Sequence, residues 1–381
     1  MCRCVRWGWI LGAVLSALAA CTTPTATPTP SHSPLSPVSP LPSPTAAPSP
    51  PTATPSGPRE LVLMTHDSFS ASEEVIREFE QRYNARVQIL KAGDAGAALN
   101  KAILAKGAPL ADVFFGVDNT FFSRALREDL FAPYRPQGLE EIPQAFRLDP
   151  EHRLIPIDYG DVCLNYDKKY FREKGLRPPE TLEDLIRPEY KGLLVVENPA
   201  TSSPGLAFML ATIAHFGEER WLDFWRALKA NGVKITEGWE EAYYKEFSGA
   251  TGSPGTRPIV VSYATSPAAE VYFSGGRLSE PPTGNVLGKD ACFRQIEFAG
   301  ILKGAKNRDL AERWMDYMIS LRFQEDIPLQ MFVFPVHPKA KLPDFFVKFA
   351  EVPPEPARLD PARIDANRER WIQEWTDLML R

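Results

Sequence analysis

Four aspartates, Asp67, Asp94, Asp118 and Asp158, each follow a short apolar run. Runs of that kind read as buried strands, so their carboxylates would gather along one edge of a sheet and suit a cationic ligand. An Asp in such a turn serves equally well as a helix cap or turn residue, accepting hydrogen bonds from nearby N–H groups. Two hydroxyl-rich turns, Thr201-Ser202-Ser203-Pro204-Gly205 and Tyr263-Ala264-Thr265-Ser266-Pro267, place Ser or Thr at a helix start with proline at the first helical position. Two such starts facing one cleft would hold a phosphate or carboxylate through free N–H groups and the positive dipole end. Ordinary capping is the plainer account of each. Trp239 after Gly238, Tyr159 and Tyr263 at strand ends, and Phe332 are the aromatic candidates. A ring face attracts a flat cation by roughly 0.5–2 kcal/mol, and each ring could also be core. No G-x-S-x-G elbow and no G-x-x-x-x-G-K is present, and His32, His66, His152, His215 and His337 have no ligand spacing. Binding without turnover and without a metal or cofactor is the simplest chemistry.

The elements that must position these residues alternate. Leu61–Met64 reads as a strand, Ser70 with Glu73 as a capping box, and Val75, Ile76, Phe79 and Tyr83 as one helical face. Strand 87–90, helix 95–106, strand 113–116 and helix 121–130 follow. A second series contains strand 194–196, a helix from Pro204, the helix through Trp221 and Trp225, a helix from Trp239 and strand 259–261. Repeated βα units force parallel pairing with helices on both faces. The expected fold is therefore α/β and two-lobed, each lobe an open, mostly parallel sheet flanked by helices. The ligand would lie in the interlobe cleft, beyond the carboxyl ends of the strands. The segments Pro156–Tyr159 and Phe293–Gly300 are the candidate crossing strands. Lobe 1 would span 59–157, completed by about 270–310, and lobe 2 would span 158–269, completed by about 311–381, with the helices through Trp314 and Trp371 bracing the outside.

Arg3 and Arg6, an apolar core over Ile10–Ala20, and Leu18-Ala19-Ala20-Cys21 read as a lipoprotein export signal over 1–20. That core is about half the ~20 residues a spanning helix needs. The mature chain would begin at a lipid-bearing Cys21 and hang from the membrane. Residues 22–58 are almost entirely Pro, Thr, Ser and Ala, a composition that cannot bury a core. At ~3.1 Å per residue such a leash reaches on the order of 100 Å. The remaining 323 residues are enough for two lobes. A net charge of −5 without a basic stripe argues against nucleic acid. After processing only Cys163 and Cys292 remain; an oxidising compartment permits their pairing, and sequence alone leaves open whether they meet.

Several motifs recur in order: Thr65-His66-Asp67-Ser68-Phe69, Gly116-Val117-Asp118-Asn119, Asp158-Tyr159-Gly160, Asn198 through Leu206, Gly238-Trp239-Glu240-Glu241-Ala242-Tyr243, Ser262 through Ala268, and Trp371-Ile372-Gln373-Glu374-Trp375. On these, nearly the whole of 59–381 resembles the thiamine-binding substrate-binding proteins of ABC transporters. The resemblance implies a two-lobed, periplasmic-binding-protein-like (type II) architecture, and a monomer that closes on thiamine or its phosphates and delivers it to membrane permease subunits. It also implies binding residues: Asp94 with Ala95, Ser202 with Ser203, Trp239, and Tyr263, Ala264, Thr265 and Ser266. His66, Asp67, Asp118, Asp158, Tyr159 and Phe332 stand at neighbouring motif positions.

The chain departs from the family pattern at His66, where a Tyr is common, at Ala269, where a Tyr often follows Thr-Ser-Pro, and at Phe332, where a Trp precedes Phe334-Pro335-Val336. A thinner aromatic cage is expected. Rival readings are a ferric-ion carrier, disfavoured because Tyr263-Ala264 stands where paired tyrosines are expected and Tyr243 and Tyr244 would point to different helix faces, a polyamine carrier, and a secreted enzyme.

Overall fold

The structure, a computed structural model, describes residues 57–381; the export signal, Cys21 and the leash as far as residue 56 lie outside the described residues. Eleven strands form one continuous sheet: β1 (Arg59–Thr65), β2 (Ala85–Lys91), β3 (Val113–Asp118), β4 (Phe131–Ala132), β5 (Ile155–Asp167), β6 (Leu194–Glu197), β7 (Lys234–Thr236), β8 (Ile259–Tyr263), β9 (Thr283–Val286), β10 (Phe293–Leu302) and β11 (Phe334–Pro335). The main path runs β2-β1-β3-β10-β5-β8-β6-β7, with β4 on β10 and both β9 and β11 on β5. Parallel pairs β1–β2, β1–β3, β6–β7 and β6–β8 make the two ends. The centre is antiparallel, because β10 and β5 are the strands by which the chain crosses between the two halves.

The apolar runs put both faces of the parallel strands out of water, as a sheet covered by helices requires; all six residues of β3 are buried. The helix Glu73–Tyr83 starts two residues later than the Ser70 capping box predicts. Ser72 is its N-cap and accepts from Val75 N, while the Ser72 N–H is taken by Asp326. The helix expected over 121–130 covers only Phe122–Arg127. Asp158 and Tyr159 do not end a strand as expected but lie near the start of the thirteen-residue β5.

Trp314 meets Phe79 edge-on and joins the first half, whereas Trp375 meets Trp225 on the second. Arg368 in the same terminal helix donates to the Thr120 carbonyl of the first half. The tail therefore braces both halves. Cys163 in β5 and Cys292 at the head of β10 are joined by a disulfide, Cα to Cα 4.3 Å, at the point where β5 leaves β10 to pair with β8.

Candidate functional site

A row of three carboxylates crosses the middle of the sheet. Glu297 on β10 stands directly opposite Asp118 on β3 and directly opposite Asp158 on β5, so the three side chains share one face. Like charges opposite one another are destabilising, and all three residues are buried. Register shifts follow at once on both sides of β10, after Glu297 against β5 and after Phe298 against β3. Such bulges re-aim side chains. His66 completes the row, its Nε2 3.3 Å from the Glu297 carboxylate. Gly116 makes this possible. It has φ +110°, and a Cβ there would sit 2.6 Å from the His66 ring.

Burial pushes the Asp118 carboxyl up to about 6 against the hydrogen bonds it accepts from Ser203 and Thr120. Burial and then the charge of Glu297 hold Asp158 far above the usual range, and neither of its oxygens has a hydrogen-bond partner outside the row. Burial opposes charge on His66, yet the Glu297 carboxylate beside it carries the imidazole above its ordinary value. Glu197, also buried, is raised by burial and by nearby Asp94. The neighbourhood is short of cations.

Above this floor lies a cavity of about 260 Å³, just below the roughly 300–1,000 Å³ usual for organic ligands. Of the predicted residues, His66, Asp94, Ala95, Ser203, Trp239, Tyr263, Ser266 and Phe332 line it, and so does Ala269. The others do not. Asp67 does not line it and accepts from Gly93 N. Asp118 and Asp158 lie in the sheet beneath, and Ser202, Ala264 and Thr265 are fully buried behind the wall. Tyr159 stacks between Phe146 and Phe334 with Arg294 over its ring; it is a packing residue because the strand position that aims Asp158 at the row turns its neighbour to the opposite face.

Asp94 acts as an N-cap, its Oδ1 accepting from Ala95 N, while its Oδ2 accepts from Trp239 N at 2.8 Å. One carboxylate therefore caps a helix in the first half and fixes the backbone of Trp239 in the second. Ser203 to Asp118, the Tyr263 hydroxyl to Gln295, and Ala97 N to the Thr201 carbonyl join the halves in the same way. Trp239 stacks on Tyr243 at 5.0 Å and donates from its indole N–H to Ser262. Tyr263 lies across Gly160, where a Cβ would come within 2.9 Å of its ring.

Sequence reasoning missed Glu297, Gln295, Glu270 and four lining rings, Phe69, Tyr243, Tyr244 and Phe273. The rings offset the losses at His66, Ala269 and Phe332. Tyr243 and Tyr244 were expected on different faces, but the chain from Ala242 to Glu246 is a π-helix whose wider turn lets both reach the cavity. Phe332 has φ 56°, a strained conformation for a bulky residue, and packs on Phe273 at 4.9 Å at the mouth. The helices Ser203–Phe216 and Ser266–Phe273 begin without a side-chain cap bond, and Ser203 and Ser266 bring both starts to the cavity wall. The arrangement offers ring faces, a carboxylate floor and two helix starts.

Comparison with known proteins agrees. The model of the bacterial extracellular solute-binding protein family matches residues 108–350. The thiamine-binding periplasmic protein of Salmonella typhimurium is 29% identical over 326 residues, covering 83% of this chain and 92% of that protein. A solved periplasmic thiamin-binding protein superposes with a TM-score of 0.74 at 26% identity, covering 85% of this chain and 99% of the other. A ferric-binding protein from Campylobacter jejuni shares the fold at 0.66 and 19% identity, covering 84% and 99%. The chain is thus a binding protein rather than an enzyme, built on the periplasmic-binding-protein fold, and it belongs to the bacterial extracellular solute-binding proteins.

Proposed function

We propose that this protein is the substrate-binding component of an ABC importer and that it takes thiamine or a thiamine phosphate from outside the cytoplasm to a membrane permease. The observation that carries this reading is an aromatic-walled cavity set on an acidic floor, which suits a flat organic cation. The Trp239 and Tyr263 faces would take the ligand rings, and the helix starts at Ser203 and Ser266 would accept a phosphate tail. Relatives with thiamine in their names support it. A ferric reading is less well supported. Burial beside Glu270 raises the Tyr243 phenol well above its usual 10, its hydroxyl is bonded to Glu270, and burial raises Tyr244 to about 12.

The test is calorimetric titration of the protein, freed of carried-over ligand by unfolding and oxidative refolding, with thiamine and its mono- and diphosphates. One-to-one binding supports the reading; no heat from any of the three rejects it. Trp239→Ala is expected to weaken thiamine binding about 10- to 30-fold, the loss of roughly 1.4–2 kcal/mol of ring contact. It should also lower the melting temperature, since Trp239 packs on Tyr243. Trp239→Phe keeps a ring and should recover most of the affinity, so equal weakening by both variants would argue against a stacking role.

The two-lobe division and the lipid anchor are part of the proposal. Mature protein from cells should carry acyl chains on Cys21, and Cys21→Ala should move it from the membrane to the soluble fraction. A soluble parent protein would remove the anchor.

A further inference from the structure

Resting on that ligand reading, we propose that Glu297 is the specificity-determining residue of the cavity, the carboxylate against which the ligand's positive charge is seated. The other acids near the cavity are committed. Asp94 gives one oxygen to Ala95 N and the other to Trp239 N. Glu270 accepts from the Tyr243 hydroxyl with one oxygen and from the Thr251 N–H and hydroxyl with the other. Asp118 accepts from Thr120 and Ser203, and Asp158 lies beneath the floor without lining the cavity. Glu240 is exposed at the mouth.

Glu297 differs from all of them. It lines the cavity and is buried, its partner within the row is the Asp158 carboxyl, and the one cationic group beside it is the His66 ring 3.3 Å away. The position is costly, because Asp118 lies across one neighbouring strand, the charge of Glu297 keeps Asp158 from ionising across the other, and the His66 ring, itself opposed by burial, is the compensating cation beside it. A cation arriving from the cavity relieves that cost, while a neutral ring of the same shape leaves it in place. Selection for charge then follows from the floor, whereas the aromatic walls select for flatness.

His66 holds the place of the ligand cation in the empty protein. The groups that face it are Glu297, Asp94 and Asp67, and those around Glu297 are His66, Asp118, Asp158 and the Tyr263 ring, with Lys91 at the rim. When the ligand's charge takes over the pairing, the imidazolium gives up its proton. Binding of a permanent cation should therefore release protons and tighten as pH rises through the titration of His66.

The experiment titrates the full chain and its Glu297→Gln and Glu297→Asp variants with thiamine and with 3-deazathiamine, the uncharged analogue whose thiazolium nitrogen is replaced by carbon. The parent is expected to prefer thiamine by at least about 30-fold. Glu297→Gln should lose most of that preference and bind the two compounds within about three-fold of each other, with an empty-state melting temperature equal to or above the parent's. Glu297→Asp should recover part of the preference. Glu297→Gln that folds and keeps the parental preference overturns the proposal. A parent that binds neither compound overturns the thiamine reading itself, and with it the seat assigned to the ligand's charge.

Discussion

Raising the pH from about 4 to about 7 is expected to destabilise the empty protein through Asp118 alone by about 2 kcal/mol of the roughly 3 that its full shift is worth. Its carboxyl titrates at about 6 in the fold against an ordinary 3.8, and each unit is worth about 1.4 kcal/mol. Between those two values the folded chain binds more protons than the unfolded chain, so stability falls as pH rises through that window. His66 acts in the same direction. Its raised value stabilises fully below its ordinary 6.5, and that contribution is lost as pH climbs through the raised value. Surface carboxylates held low by arginines, Glu78 beside Arg322 and Glu218 beside Arg363 and Arg370, work the other way and are lost only as the solution becomes more acid than their ordinary 4.5. Thermal melts of the ligand-free protein should therefore be highest near pH 5. A melting temperature that rises steadily toward neutrality would show that the row carries no such cost. Asp118→Asn should flatten the profile, and a bound cationic ligand should flatten it too.

The second large effect concerns the bond between Cys163 and Cys292. It closes a segment with a sequence separation of 129 residues, and loop-closure entropy puts the stabilisation from such a cross-link at about 5 kcal/mol, with measured losses in the range of roughly 2–5. Both cysteines are fully buried, so a Cys163→Ala, Cys292→Ala double variant also loses two buried sulfurs, and the small void adds to the loss. Its melting temperature should drop by roughly 5–15 °C, and the parent should show most of that drop in reductant. A double variant within about 2 °C of the oxidised parent would mean that the compact unfolded chain already holds these strands together.

How far the sequence reveals these features depends on how local they are. The strands around Leu63, Phe114 and Val195 are legible because apolar runs between turn residues depend on near neighbours alone. Asp94 and Trp239 are legible through the motifs around them, though not the bond between them, which spans 145 positions. Asp158 is misread as a strand end because Gly160 resembles a turn, whereas that glycine clears space for the Tyr263 ring. Ser70 and Ser72 both satisfy a cap pattern, and Asp326, far along the chain, decides between them. Glu297 carries one faint signal: an acid inside the apolar run Phe293–Leu302, where charge is rare unless it is compensated. Its meaning appears only when β3 and β5 are laid on either side of it.

The double duty of Asp94 reaches beyond the cavity. One oxygen is fixed on the helix start, so in the two-lobe closure proposed above the other would be held ready, already oriented, for the Trp239 N–H. Closure then orders one hydrogen bond at little entropic cost. Together with the other bonds across the halves, its strength would then set what fraction of molecules is closed before ligand arrives, and apparent affinity scales with that fraction. Evolution can therefore tune uptake at this carboxylate, sharpening or loosening capture without altering which molecule the cavity prefers.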